Sequence, residues 1–245
     1  MTSTKTKNSI LGVDVENIIK NTISSNKKKD TDAKPSVVSL DEAYVHEPKQ
    51  YKQVTEFLSE KAKSAHLELY KGYIESFNKV SAELDTADRT QTNSRHSSYR
   101  SLKFDETYNL NGVWLHELHF ANGFDPHSEI VMDSLAYLKL QRDFGTFEDW
   151  QRDFIAAALS AGSGWVVTGF NMFLKRYVNT IVSHHSGDIQ MGLYPVIVVD
   201  MWEHAYFRDY LNDKKSYLMA QMKELNWTVI EERFKKSEAI NLVLK

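Results

Sequence analysis

Asp200 and His204 are the pair in this sequence with the most direct chemical meaning. The carboxylate ends the apolar run Val196-Ile197-Val198-Val199, and the imidazole follows four residues later inside Asp-Met-Trp-Glu-His. A buried strand end that sets a carboxylate beside a histidine one helical turn on suits a hard or borderline divalent ion. One pair of donors is not yet a site. With nine histidines in 245 residues, most must be surface or satisfied core residues, so spacing has to single any of them out. His66 lies on a helical run with Tyr70 four residues on and Tyr73 seven residues on, along one face. Taken alone, that trio reads as core packing more often than as chemistry.

His116-Glu117-Leu118-His119 has a different spacing from the zinc-hydrolase helix, which needs histidines four apart with the glutamate next to the first. Here they are three apart and no downstream ligand fits, so that chemistry is excluded. The chain has no cysteine, which removes disulfides, thiolate-held iron–sulfur clusters, thiolate–zinc sites and a cysteine nucleophile. Any metal must sit on His, Asp, Glu, backbone oxygen or water.

These residues need elements to hold them. Apolar spacing from Val54 through Phe57, Leu58, Ala62, Ala65, Leu69 and Tyr73 to Phe77 predicts a helix over residues 51–84. Residues 85–101 are polar and read as a loop, and a second helix is expected over 107–121, ending before Asn122-Gly123 and Pro126. Two amphipathic segments follow at 134–144 and 147–159, the latter opening on Thr146 and Asp149 in a carboxylate variant of the capping box. Residues 164–170, 175–183 and 194–200 are rich in Val, Ile and aromatics and read as strands, with a turn region over 184–192. The pattern returns to helix from 201 to about 224, and a short helix is expected over 228–234. A helical half followed by helix, three strands and helix is an α+β arrangement.

The formal charge is −3, with 42% hydrophobic, 12% aromatic and 26% charged residues, as in a water-soluble globular protein with a substantial core. Such a balance argues against nucleic-acid binding by bulk electrostatics. No apolar run approaches the roughly 20 residues of a membrane helix, and no apolar signal segment opens the chain, so the expected location is cytoplasmic and off the membrane. Residues 1–43 lack aromatics and are rich in Lys, Ser, Thr, Asn and Asp, which predicts a flexible extension. Within it Ile10, Leu11, Val15, Ile18, Ile19 and Ile23 have helical spacing suited to docking on a partner.

The segment from Asp200-Met201-Trp202-Glu203-His204 to Asn212, followed by Asn226-Trp227 and Glu232-Arg233-Phe234, resembles the C-terminal signature of iron and manganese superoxide dismutases. Phe144-Gly145-Thr146-Phe147, Gly162-Ser163-Gly164-Trp165, Trp114-Leu115-His116 and Tyr73-Ile74-Glu75-Ser76-Phe77-Asn78 match in the same order, so the resemblance covers about residues 50–245. It implies a helical hairpin domain (44–127) followed by an α/β domain (128–245) with a three-stranded antiparallel sheet. Between them one iron or manganese ion per chain would be held by His66, His116, Asp200 and His204. Eight residues before Tyr73, where the family carries its first ligand, stands Ala65; His66, seven before, faces the same way in a regular helix. The resemblance further implies superoxide as substrate, Tyr73 as the gateway tyrosine, Trp165 and Trp202 as pocket walls, and His184 or His185 as partner to metal-bound solvent. The last follows because Gly112 stands where iron-type members carry a glutamine.

A homodimer is implied too, with Glu203 bridging to the opposite subunit's last metal histidine. Tyr70 and Phe207 replace the family's paired interface histidine and tyrosine, while Phe120, Val167 and His119 replace rings near the metal and Lys214 stands near a funnel arginine. The competing reading is a fold reused as a structural or interaction subunit, tethered to a larger assembly through residues 1–43.

Overall fold

The computed structural model describes residues 43–243, so the expected extension lies, but for Ala43, outside the described residues. Ser59 opens the first helix, α1 (Glu60–Asp85), by accepting a hydrogen bond from the Ala62 N–H at 3.2 Å. The buried stripe of α1 runs Ala62, His66, Tyr70, Ile74, Phe77, Ser81 and Leu84. That spacing of three and four turns one face toward α2 (Ser98–Gly123). It also leaves Ala65 exposed.

Helix α1 starts nine residues later than its apolar pattern suggests. The backbone before it is committed elsewhere: the Val54 N–H donates to Phe124 O at 3.0 Å, and buried Lys63 donates to the carbonyls of Gln53 and Thr55 at 2.8 and 3.0 Å. Val54 itself is exposed. Residues 44–49, upstream, cross the two helices as an irregular strap paired to side chains. The Tyr44 N–H donates to Ser81 Oγ (2.7 Å), His46 exchanges two bonds with the Asn78 amide, and the Lys49 N–H donates to Tyr70 Oη (3.1 Å).

Helix α2 begins at Ser98, not at 107, capped by Ser97. No residue of it is buried before Gly112, so its first turns carry no apolar periodicity to read. Helices α3 (Leu135–Phe144) and α4 (Phe147–Ser160) follow, capped by Ser134 and Thr146. The Thr146 hydroxyl in turn donates to the Asp149 carboxylate at 2.6 Å.

Strands β1 (Gly164–Asn171), β2 (Arg176–Ser183) and β3 (Leu193–Asp200) form an antiparallel sheet in the order β2-β1-β3. Central β1 is buried along its whole length. Gly164 allows that closeness at its start, since a Cβ there would lie 2.3 Å from Val182 O. On one face Trp165, Val167, Val182 and Val198 gather against Leu115 of α2. Val166, Phe170 and Val199 join the larger core with Trp150, Phe154 and Phe234. Trp165 pairs directly with Asp200.

Beyond β3 come α5 (Glu203–Tyr210), α6 (Lys214–Lys223) and α7 (Trp227–Val243). The single helix expected from 201 to 224 is broken at Leu211, whose φ is +50°, and Asp213 caps the restart. Helix α7 runs well past 234 because its inward position there is a polar one: buried Ser237 bonds Tyr177 Oη at 2.6 Å. Two long helices followed by a mixed region around a three-stranded antiparallel sheet match the expected α+β fold. Among the described residues no helix is long and apolar enough to cross a membrane.

Candidate metal centre

Asp200 ends β3 fully buried, and all but one of its polar atoms are committed. Its N–H donates to His119 Nδ1 at 3.3 Å, its carbonyl accepts from Tyr217 Oη at 2.9 Å, and Oδ1 accepts the Trp202 N–H at 2.8 Å. Oδ2 is left to face three imidazoles: Nε2 of His66 at 3.0 Å, of His204 at 3.1 Å and of His116 at 3.8 Å. The four residues come from α1, α2, β3 and α5, and one donor atom from each lies within 4.8 Å of the others.

His116 shows what such a cluster requires. Its Nδ1 lies 2.6 Å from Gly112 O. A carbonyl can only accept, so Nδ1 carries the proton and Nε2 presents a lone pair. That lone pair is buried, has no hydrogen-bond partner, and faces the Asp200 carboxylate. Two electron-rich atoms, both fully buried, are stabilised together by a cation. Burial pushes the pKa of His66 down and that of His116 well down, so both stay neutral. Burial alone would raise Asp200, yet the His204 and His66 rings hold its carboxyl well below the usual range. Three imidazoles and one carboxylate fit a first-row transition ion better than magnesium.

A second group borders this cluster. His185 is buried, its Nδ1 accepts the Trp165 indole N–H at 3.0 Å, and its Nε2 lies 2.8 Å from Tyr73 Oη. Burial lowers its pKa to about 4. The half-buried Tyr73 phenol is raised, again chiefly by burial, with Tyr108 beside it. Gly112 is needed here, because a Cβ on it would meet the Tyr73 ring at 2.9 Å. No side chain can reach the pocket from that position.

His66 is in the cluster and Ala65 is outside it. The Trp165 ring lies 4.8 Å from His116, and Trp202 stacks on both His185 (5.4 Å) and His204 (5.8 Å). His184 is exposed, at φ +53°, with its ring 5.4 Å from Trp202. Glu203 is exposed beside an open cleft of about 450 Å³ lined also by Leu69, His204, Phe207 and Arg208. Lys214 donates to the carbonyls of Ala161 and Gly162.

Two residues beside the pocket were not singled out from sequence. The Asn111 amide donates to His185 O at 2.9 Å, and the Tyr108 ring lies 4.7 Å from His185. Tyr108, Gly112 and His116 recur every fourth residue within the helix expected over 107–121, and that face is the signal that could have found Tyr108.

The sequence profile described as "Iron/manganese superoxide dismutases, C-terminal domain" matches residues 134–233. An iron superoxide dismutase of Aquifex pyrophilus is 36% identical over 197 residues, 78% of this chain and 92% of that protein. One from Aquifex aeolicus is 37% identical over 171 residues, covering 69% and 79%. A manganese superoxide dismutase of Halobacterium salinarum is 30% identical over 195 residues, covering 78% and 93%. Likeness of this degree, over most of both chains, places the protein in the iron/manganese superoxide dismutase family.

Proposed function

We propose that this protein is a superoxide dismutase acting at the His66–His116–Asp200–His204 site, converting two superoxide anions and two protons to dioxygen and hydrogen peroxide. The observation that carries this reading is the unpaired His116 Nε2 held opposite the buried Asp200 carboxylate. One iron or manganese ion per chain, alternating between its +3 and +2 states, would supply the electron chemistry.

The protein's own groups set out a proton path. Because His185 Nδ1 accepts from Trp165, the His185 proton is on Nε2, which donates to Tyr73 Oη. The Tyr73 O–H is then free to donate to an anion or to metal-bound solvent. Burial keeps His185 neutral and Tyr73 protonated at neutral pH, so Tyr73 holds one transferable proton beside the cluster while the His185 N–H braces the phenol oxygen. Peroxide needs two, and water supplies the other. Of the paired turn histidines, His185 is thus the one proposed to act at the site, through the Tyr73 hydroxyl rather than on bound solvent itself.

A homodimer accompanies this reading. Glu203 and Phe207 are exposed around a cleft that leaves the His204 side chain 27% exposed. A second copy seated there would dry the site and bring Glu203 to the opposite His204.

Elemental mass spectrometry on the freshly purified chain, before and after reconstitution, tests the proposal. About one iron or manganese per chain, with superoxide consumption that disappears in Asp200→Ala, is expected for a four-donor site. A chain that stays empty after reconstitution with either metal overturns it.

A further inference from the structure

His119 lies three residues beyond His116 on α2 and is not one of the four clustered donors. Its ring is fully buried among His66 (5.4 Å), Phe120 and Phe124 (both 5.7 Å) and Trp165 (6.1 Å). Two donors converge on its Nδ1: the main-chain N–H of Asp200 at 3.3 Å and the side-chain amide of Gln221 at 3.1 Å. A nitrogen that receives two N–H groups is the unprotonated one, so Nε2 carries the hydrogen. The opposite Gln221 orientation would need a proton on Nδ1, and the Asp200 N–H would then face a donor.

The arrangement is costly. His119 Nε2 and Gln221 Oε1 are both buried without partners among the described residues. An apolar ring would fill the same space with no unpaired N–H. What the imidazole contributes instead is a fixed acceptor for Asp200, whose carbonyl is already held by Tyr217 and whose Oδ1 is held by the Trp202 N–H.

We propose that His119, clamped by Gln221, is a positioning residue for Asp200: it fixes the main chain of that residue and so the direction in which Oδ2 meets the three imidazoles. This rests on the metal-site reading above. The role belongs to Nδ1, and two neutral variants separate the two ring nitrogens. His119→Asn keeps an acceptor close to the Nδ1 position, whereas His119→Gln carries it out to the Nε2 position.

The full-length chain and each variant would be loaded with iron, and iron loss to a chelator followed together with the ferric electron paramagnetic resonance signal. His119→Asn should stay within about twofold of wild type, while His119→Gln should lose iron about tenfold more readily, with a shifted ferric signal. Equal behaviour of the two variants overturns the proposal. If either does not fold, Gln221→Leu leaves His119 and Asp200 in place and removes only the clamp. A smaller shift of the ferric signal is expected there, and an unchanged signal overturns the proposal. A wild-type chain that takes up no metal overturns the site reading and the proposal with it, whereas a loaded wild type with indifferent variants overturns the proposal alone.

Discussion

Trp165 donates its indole N–H to His185 Nδ1 at 3.0 Å, and this one bond decides which nitrogen of His185 carries the proton. Two strand-borne facts make it possible. Trp165 sits on fully buried β1 opposite Asp200, and His185 follows the end of β2, with its carbonyl tied to Asn111. The indole has no acceptor capacity, so it cannot tolerate a proton on Nδ1.

Trp165→Phe keeps most of the ring volume and removes the donor. His185 is then free to take either tautomer and to turn away from Tyr73. Turnover should fall about 10- to 100-fold, the usual effect of losing an outer-shell partner, while metal content by elemental analysis stays at the wild-type level. Loss of metal in parallel with activity would mean that Trp165 acts on the ligands and not on His185.

Acid should destabilise the fold earlier than its carboxylates alone would. His185 and His119 have folded pKa values near 4 and 3, both lowered first by burial, against about 6.5 in an unfolded chain. Between those values the unfolded chain binds protons that the native chain does not, so stability falls as pH drops from 6.5 toward 4 and is level above 6.5. His185 alone accounts for a loss on the order of 3 kcal/mol by pH 4. Denaturant unfolding at a series of pH values checks this, and a flat profile between pH 7 and 4.5 would contradict it.

Asp200 and His204 were legible because a strand end and a helical turn place them next to each other within five residues. His66 was chosen over Ala65 by its seven-residue spacing to Tyr73, although the apolar pattern ran through Ala65 and Leu69; the structure buries 62-66-70-74 instead and leaves Ala65 exposed. The His119–Gln221 pair was not legible. Its members are separated by 102 positions, and a lone histidine or glutamine in a helix carries no sign of what it faces. The early turns of α2 escaped for a related reason, since a helix with no buried residue before Gly112 has no apolar period to detect. Residues 51–59 were misjudged as helix because Val54 and Phe57 mimic helical spacing, while the Val54 N–H bonds Phe124 O and the Phe57 carbonyl accepts from Tyr210.

The geometry of α1 makes a further prediction about the first ligand. His66→Ala should lower metal affinity by more than the roughly 100-fold upper range for outer-shell losses. Adding Ala65→His to that variant should not restore it, because position 65 is exposed while 66 is 2% exposed and 3.0 Å from Asp200. Elemental analysis after reconstitution reads both variants. Recovery of a full metal complement in the double variant would show that α1 can shift register by one residue.

Glu117, next to His116, holds a charge on the far side of α2 and shows what keeps the two long helices covered. It is 7% exposed, and its carboxylate receives His46 Nε2 at 2.5 Å, Tyr70 Oη at 2.9 Å and the Lys49 ammonium. Burial would raise its pKa, but Lys49, His46 and Tyr70 hold it below the usual glutamate value. Lys49 is mostly exposed and its ion pair is worth about 1 kcal/mol at most, so the buried tyrosine and histidine bonds carry the larger share. Glu117→Leu leaves Tyr70 Oη without its acceptor and releases the strap at residues 46–49. The expected result is a loss of about 1–3 kcal/mol in denaturant unfolding, together with faster proteolysis confined to residues 44–54. Metal content should hold, because His116 is oriented by Gly112 O and not by its neighbour.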